Sequence, residues 1–218
     1  MPSDSRSSRV ELVSAVAARI RAAGARRVAV DGVDGAGKTT FADELAGALG
    51  NDAVRVSIDG FHNPRAVRYA RGRDDPEGFY RDSYDYASFV AAVLEPADAV
   101  VPAVFDHETD SRVEAAPVPL GPGSILVVDG IFLHRDELTR WWDFSVWLEV
   151  PFAVSIPRGA SRGIGFGSPD PDAPGNRRYV EGQRLYLREC DPRRRATVVV
   201  DNTDLAFPRL VGAATLEP

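Results

Sequence analysis

Residues 32–39, Gly-Val-Asp-Gly-Ala-Gly-Lys-Thr, fill every fixed position of the pattern G-x-x-x-x-G-K-[ST]. Glycines at 32, 35 and 37 let the backbone curl without Cβ clashes, so successive N–H groups can point at one anion. A helix that follows directly adds partial positive charge at its N-terminus. Gly32, Asp34, Gly35, Ala36, Gly37, Lys38, Thr39 and Thr40 are therefore the candidate phosphate-binding residues. Lys38 is placed to reach the β- and γ-phosphates of a nucleoside triphosphate, and the Thr39 hydroxyl to ligate Mg²⁺. The chemistry expected here is binding of ATP with Mg²⁺.

Three carboxylates fall at the ends of predicted strands: Asp31, Asp59 and Asp129. Ligands of open α/β sheets gather at those ends. Asp129 closes the apolar run Ile125-Leu126-Val127-Val128 and is the second candidate for Mg²⁺, with Thr39. Asp59 is the candidate general base, able to orient an acceptor hydroxyl and take its proton. Farther along, Arg158, Arg162, Arg177 and Arg178 flank a Gly/Pro-rich stretch over 163–176. Guanidinium groups match phosphoryl oxygens, so this segment, about 157–178, is expected to be a mobile lid. Arg158 and Arg162 are assigned to transition-state charge. His62, His107 and His134 are far apart in the sequence, with no metal-ligand spacing and no support for a nucleophilic triad.

The elements that must hold these residues follow from periodicity. Val10, Val13, Val16, Ala17 and Ile20 predict a helix ending near Gly24. Strands are predicted near 27–31, 54–59, 100–105, 113–119, 125–129, 144–150 and 197–200, and helices after the glycine loop and over 85–94. Residues 62–82 read as an ordered loop, and Tyr179, Gln183 and Tyr186 as one helix face. Strands alternating with helices predict an α/β fold: a P-loop NTPase-type parallel sheet flanked by helices. A single domain over 9–218 behind a flexible tail of residues 1–8 is expected.

Composition narrows the partners. With 218 residues and a net charge of −6, the chain offers no basic field for nucleic acid. No apolar run reaches membrane-spanning length, which argues against membrane insertion. The start of the chain has no signal-peptide core, and Cys190 is the one cysteine, so the cytoplasm is the expected compartment. The expected partners are a nucleotide and a small-molecule acceptor; a homo-oligomer stays open.

Together, residues 32–40, Ser57-Ile58-Asp59-Gly60-Phe61-His62, Val128-Asp129-Gly130-Ile131, the arginine-bearing segment and Tyr179 to Asp204 resemble the phosphoribulokinase/uridine kinase family of P-loop kinases. The resemblance implies a kinase using ATP and Mg²⁺, with Asp59 as catalytic base and Asp129 where the family usually has a Glu near Mg²⁺. It also implies that Arg158 and Arg162 contact ATP phosphates and that Asp82 or Asp85 binds a ribose. Uridine kinases grip the pyrimidine with Tyr-Asp-Phe and a following His. The matching stretch here has Phe105 and Asp110, and Arg177 stands where a nucleoside-contacting Gln would be. An acceptor-only group at Asp110 suits a donor on the substrate, so cytidine or a polyol-like metabolite is expected to be phosphorylated at least as well as uridine. A pantothenate-like or sugar-like acceptor, a nucleoside-monophosphate kinase and a non-kinase nucleotide switch are the alternatives. The loop also looks like that of thymidylate kinase, whose Asp-Arg-Tyr segment is missing. A base-reading Asn-Lys-x-Asp is missing too, which disfavours a G-protein.

Overall fold

The structure, a computed structural model, describes residues 8–163 and 166–211. Of the predicted tail, residues 1–7 lie outside the described residues, and Ser8 is the N-cap of α1 (Arg9–Ala22). Ser8 Oγ accepts from the Glu11 amide while the Glu11 carboxylate accepts from the Ser8 amide, a reciprocal cap that satisfies two otherwise orphaned donors. Val13, Val16, Ala17 and Ile20 are buried at helical spacing; Val10 faces solvent.

Next come β1 (Arg27–Gly32), α2 (Lys38–Leu49) and β2 (Ala53–Ser57). A single 3₁₀ turn, Ile58–Phe61, follows β2 and carries Asp59 just past the strand end. The stretch expected to be a loop over 62–82 instead contains α3 (Arg65–Arg68) and α4 (Pro76–Asp82). Both are too short to show a helical period in the sequence. α4 is marked by Asp75, whose carboxylate accepts from the Gly78 amide at 2.6 Å, with Pro76 at the first helical position. After α5 (Tyr86–Phe89), the expected strand over 100–105 is two separate pairs of residues. β3 (Ala99–Val100) pairs with β6 (Val118–Pro119), and β4 (Phe105–Asp106) with β5 (Ser111–Arg112).

The rest of the main sheet is β7 (Ile125–Gly130), β8 (Phe144–Glu149), β9 (Val198–Asp201) and β10 (Arg209–Val211). Its order is β10-β9-β8-β1-β7-β2, parallel except for the antiparallel edge strand β10. The helices still to be placed are α6 (Asp136–Thr139), α7 (Phe152–Ser161), α8 (Arg177–Cys190) and α9 (Pro192–Arg195). β7 is buried at every position, as a parallel strand covered on both faces must be. One continuous core joins α1, α2, the sheet and α8. The molecule is thus α/β, a mostly parallel sheet flanked by helices. No described helix is long and apolar enough to cross a membrane.

Register places the chemistry. β7 lies between β1 and β2, and Asp129 pairs with Val30 on one side and Ser57 on the other. The loop after β1, the carboxylate of β7 and the turn after β2 therefore emerge side by side at the carboxyl edge of the sheet. β1 is also the strand from which the chain departs in both directions, the position where such sheets open a crevice.

Candidate active site

The glycine loop has the conformation its sequence requires. Gly35 and Gly37 have φ of 76° and 88°, in the left-handed region. A Cβ on Gly35 would run into the Ser155 carbonyl oxygen of α7, so both backbone angle and space demand glycine. The amides of Gly35, Gly37, Lys38 and Thr39 find no acceptor among the described residues, as expected of a cradle built to hold an anion. Two loop amides are engaged otherwise: Ala36 donates to Val33 O at 3.0 Å, and Asp34 to Gln183 Oε1 at 2.7 Å. Gln183 therefore braces the loop from α8. Lys38 Nζ donates to Val33 O at 3.0 Å, which lays the side chain over the loop. Gly32 and Thr40 flank the cradle on β1 and α2.

Thr39 Oγ1 donates to Asp129 Oδ2 at 2.9 Å, and Asp129 is almost fully buried. Its other oxygen accepts from Arg55 Nη2 at 3.0 Å. A hydroxyl and a carboxylate oxygen meeting beside orphaned amides are the donor set a hard cation takes together with phosphate oxygens, so these residues fit Mg²⁺. Among the described residues no group of three or more His, Cys, Asp or Glu could hold a metal. The remaining coordination would come from the nucleotide and water, as is usual for Mg²⁺.

Asp59 faces a cavity of about 390 Å³ next to the loop. Its Oδ1 accepts from the Tyr84 hydroxyl at 3.0 Å, and its carbonyl is 2.9 Å from His62 Nδ1. Burial and then the Asp59 charge hold the Tyr84 phenol well above its ordinary range, so it stays a donor. Asp34 enters the same cavity. Burial raises its pKa, Lys38 opposes that, and the nearby Asp59 adds to it. By contrast Asp31, the third strand-end carboxylate, is fully buried. Its Oδ2 accepts from the His134 amide at 3.1 Å and from Tyr186 Oη, and its Oδ1 from the Gly32 amide. Asp31 ties β1 to α8 and has no access to a substrate.

Around the cavity stand His62, Arg65, Arg68, Tyr69, Phe79, His107, Arg178 and Tyr179 besides the carboxylates. The histidines that the sequence separates by many residues stack at 4.6 Å between ring centroids. Burial, the first cause, lowers the pKa of His62. Arg178, only 5% exposed, donates to the carbonyls of Asp75 at 2.9 Å and Arg68 at 2.8 Å, and so pins α3 and α4 to α8. Close passage of α4 is possible because α8 has Gly182 there, where a Cβ would strike Phe79.

The residues the sequence proposed for the acceptor fare differently. Arg177 opens α8 exposed to solvent, and one helical step of about 100° puts Arg178 in the wall instead. Asp82 is bound to Arg71 Nε at 2.7 Å and does not line the cavity. Asp85 caps α5, accepting from the amide and hydroxyl of Ser88 at 3.0 and 2.6 Å. Phe105 is buried in β4 away from the lining. Asp110, at φ 54°, accepts from the Arg65 amide at 2.8 Å and lies 3.6 Å from Arg68 Nη2. It positions arginines rather than facing the cavity, so the preference for cytidine loses the contacts on which it rested.

The arginine-bearing segment is also corrected at its root. Residues 152–161 form α7, disguised in the sequence by Pro157 and by Gly159, whose missing side chain admits the Phe166 ring. Arg158 donates to Asn202 O at 3.1 Å and to Thr203 O, and Asn202 Nδ2 donates to Ala36 O at 2.7 Å, so Arg158 approaches the glycine loop through one residue. Burial, then Arg162, lowers its pKa. Arg162 is exposed at the end of α7. Of the segment expected to be poorly ordered, residues 164–165 lie outside the described residues. Residues 166–176 are anchored: Phe166 is buried against Tyr179, and Asn176 Nδ2 donates to Ser168 O at 2.8 Å and Asp170 O at 2.7 Å.

Arg65, Arg68, Tyr84 and the His62–His107 pair are cavity residues that the sequence does not single out, and it presents Arg178 only as a flank of the expected lid. The signal that could have found them is the density of Arg and Tyr between residues 62 and 86, which looks like a solvated loop unless α3 and α4 are recognised.

No protein-family model matches the chain. The chain is similar to the solved structure of a possible uridine kinase from Bacillus stearothermophilus, at 25% identity and a TM-score of 0.68 over 88% of this chain and 96% of that one. It is also similar to a protein from Silicibacter sp. TM1040 whose name gives it provisionally as a fructose transport system kinase. There the identity is 26% and the TM-score 0.64, over 81% of this chain and 94% of that one. The fold is that of a uridine kinase-like P-loop kinase.

Proposed function

We propose that the protein transfers the γ-phosphoryl group of ATP to a hydroxyl of a small metabolite held in the cavity beside the glycine loop. The observation that carries this reading is the shared wall. Asp34 of the phosphate cradle and Asp59 of the turn after β2 open into one cavity, so a donor on the loop and an acceptor by Asp59 would meet. A switch protein has no need of such a cavity.

In this reading the amides of Gly35, Gly37, Lys38 and Thr39, with the Lys38 side chain, hold the β- and γ-phosphates. Thr39 and Asp129 would hold Mg²⁺, which neutralises charge on the phosphate oxygens. Tyr84 fixes the orientation of the Asp59 carboxylate, which accepts the acceptor's hydroxyl proton as that oxygen bonds to the γ-phosphorus and the bond to the ADP oxygen breaks. Arg158 and Arg162, at the α7 end of the segment that would cover the phosphates, would stabilise the charge on the transferring group. The kinship in name to a uridine kinase makes a nucleoside one acceptor class to test, and the fructose transport system kinase makes a sugar another.

Acceptor-dependent release of ADP, measured with nucleosides, sugars, sugar phosphates and hydroxy acids, tests the reading. ATP turnover that rises with one acceptor class and yields its phosphorylated product supports it. Turnover indifferent to every acceptor would favour a regulatory ATPase.

A further inference from the structure

Asp34 is an unexpected residue in a phosphate loop. A carboxylate beside the β- and γ-phosphates repels them, and the Asp34 amide is turned from the cradle to Gln183 Oε1 at 2.7 Å. The residue lines the acceptor cavity together with Asp59. Burial is the first cause of the raised pKa of the Tyr84 and Tyr179 phenols, and the Asp34 charge adds to both. Its carboxylate therefore lies among the cavity side chains.

That carboxylate is also uncommitted. Among the described residues it accepts no hydrogen bond, and its ion-pair contact is Lys38 Nζ at 3.8 Å. Lys38 donates to Val33 O at 3.0 Å instead, and in the kinase reading it turns to phosphate oxygens when nucleotide binds. The Asp34 side chain is 24% exposed, so leaving it without a donor under a bound acceptor is costly. A donor carried by the acceptor removes that cost. Arg65, Arg68 and Arg178 stand on the same wall and disfavour an ammonium group, which makes a hydroxyl the fitting donor. The carboxylates that the sequence offers for such a hydroxyl are occupied: Asp82 holds Arg71, and Asp85 caps α5. Asp59 spends Oδ1 on Tyr84 and keeps its other oxygen for the reacting hydroxyl.

We infer that Asp34 is a specificity-determining residue, its carboxylate accepting a hydrogen bond from a second hydroxyl of the acceptor while Asp59 takes the one that is phosphorylated. This rests on the kinase reading above in assigning the cavity to the acceptor. It moves the Asp34 side chain from the grip on phosphate to the grip on the acceptor.

Series of single deletions provide the test: uridine, ribose, glucose and fructose, each beside its monodeoxy analogues. In one series, an analogue that keeps the phosphorylated hydroxyl should lose about 10- to 100-fold in kcat/KM, mainly through KM, the scale of a hydrogen bond to a charged group. Asp34→Ala should erase the deficit of that analogue and leave the deficits of the others, a pattern that a merely structural role would not produce. Asp34→Asn, whose amide oxygen still accepts, should restore part of it. Calorimetric titration of Asp34→Ala with ATP and Mg²⁺ should show affinity equal to or tighter than the parent's, since a repelling charge is gone. Thermal stabilisation by the same compounds, read without ATP, separates this inference from the kinase reading. The same pattern in Lys38→Ala, lost on adding Asp34→Ala, upholds the Asp34 contact even if no compound is phosphorylated. No analogue weaker than its full compound, or a deficit that Asp34→Ala leaves intact, would overturn the inference and leave the kinase reading standing. A loss of ATP affinity of about tenfold or more in Asp34→Ala would return the residue to the phosphate grip.

Discussion

The glycine loop and the acceptor cavity share Asp34, yet they are assembled in opposite ways. Nine consecutive residues make the loop, and one strand register adds Asp129. The cavity gathers side chains from the turn after β2, from α3 and α4, from the stretch after β4, and from Phe166 and α8. A task common to every triphosphate, holding phosphate oxygens, is met by backbone geometry that little else can supply. Choice of acceptor is met by side chains on short helices, each held by a few contacts such as Arg178 with the Arg68 and Asp75 carbonyls. Substitutions in the loop should therefore remove activity for all acceptors, whereas substitutions in the cavity should discriminate among them.

The largest effect is expected at the loop. Lys38→Ala should reduce phosphoryl transfer to background for every acceptor while the far-ultraviolet circular dichroism stays that of the parent, because no neutral side chain offsets the phosphate charge. Turnover near normal in a folded variant would remove the loop from the account. Gly35→Ala should come next, through the fold: a left-handed φ and the Ser155 carbonyl oxygen together should cost about 2–4 kcal/mol in urea unfolding, with nucleotide binding lost. An unchanged midpoint would show that the loop is less constrained than its geometry implies.

Smaller effects belong to the cavity. Tyr84→Phe removes the hydrogen bond to Asp59 and should lower kcat about tenfold, with the KM for ATP little changed, since hydrogen bonds to charged groups contribute about 1.5–3 kcal/mol. An effect on ATP binding instead would place Tyr84 with the donor. The smallest effect is a pH dependence. Burial lowers the pKa of His62 below its ordinary 6.5, so the unfolded chain binds that proton more readily than the folded one. The stabilising contribution is present above pH 6.5 and is lost as pH falls through the depressed folded value. The Tm of the parent should thus drop more steeply below pH 6.5 than that of His62→Asn; parallel curves would show that His62 titrates normally.

The same contrast explains what the sequence made legible. Residues 32–39 and the apolar run before Asp129 announce themselves because strand, turn and helix follow one another within one unit, and the parallel sheet follows from such units. The N-terminal end of the loop's support, Gln183 on α8, and the arginines of α3 lie far away along the chain, where spacing conveys nothing. Motif alignment gives a position only to within a residue and so points to Arg177, while a helix turns about 100° per residue and faces Arg178 inward. Phe105 and Asp110 lie off the cavity for a related reason: β4 and β5 form a small separate ribbon, and its turn directs Asp110 at the amide of Arg65. Pro157 and Gly159 made α7 look like loop, although the glycine is there to seat Phe166.

The division of labour between donor grip and acceptor chemistry is tested most directly at Asp59. Calorimetric titration of Asp59→Asn with ATP and Mg²⁺, set beside its kcat on whichever acceptor the parent phosphorylates, separates the two. The amide keeps the size of the side chain but cannot take the hydroxyl proton, so ATP affinity should stay within a few-fold of the parent while kcat falls about 10²-fold or more. Retained kcat, or a loss of ATP affinity as large as the loss of kcat, would contradict the account.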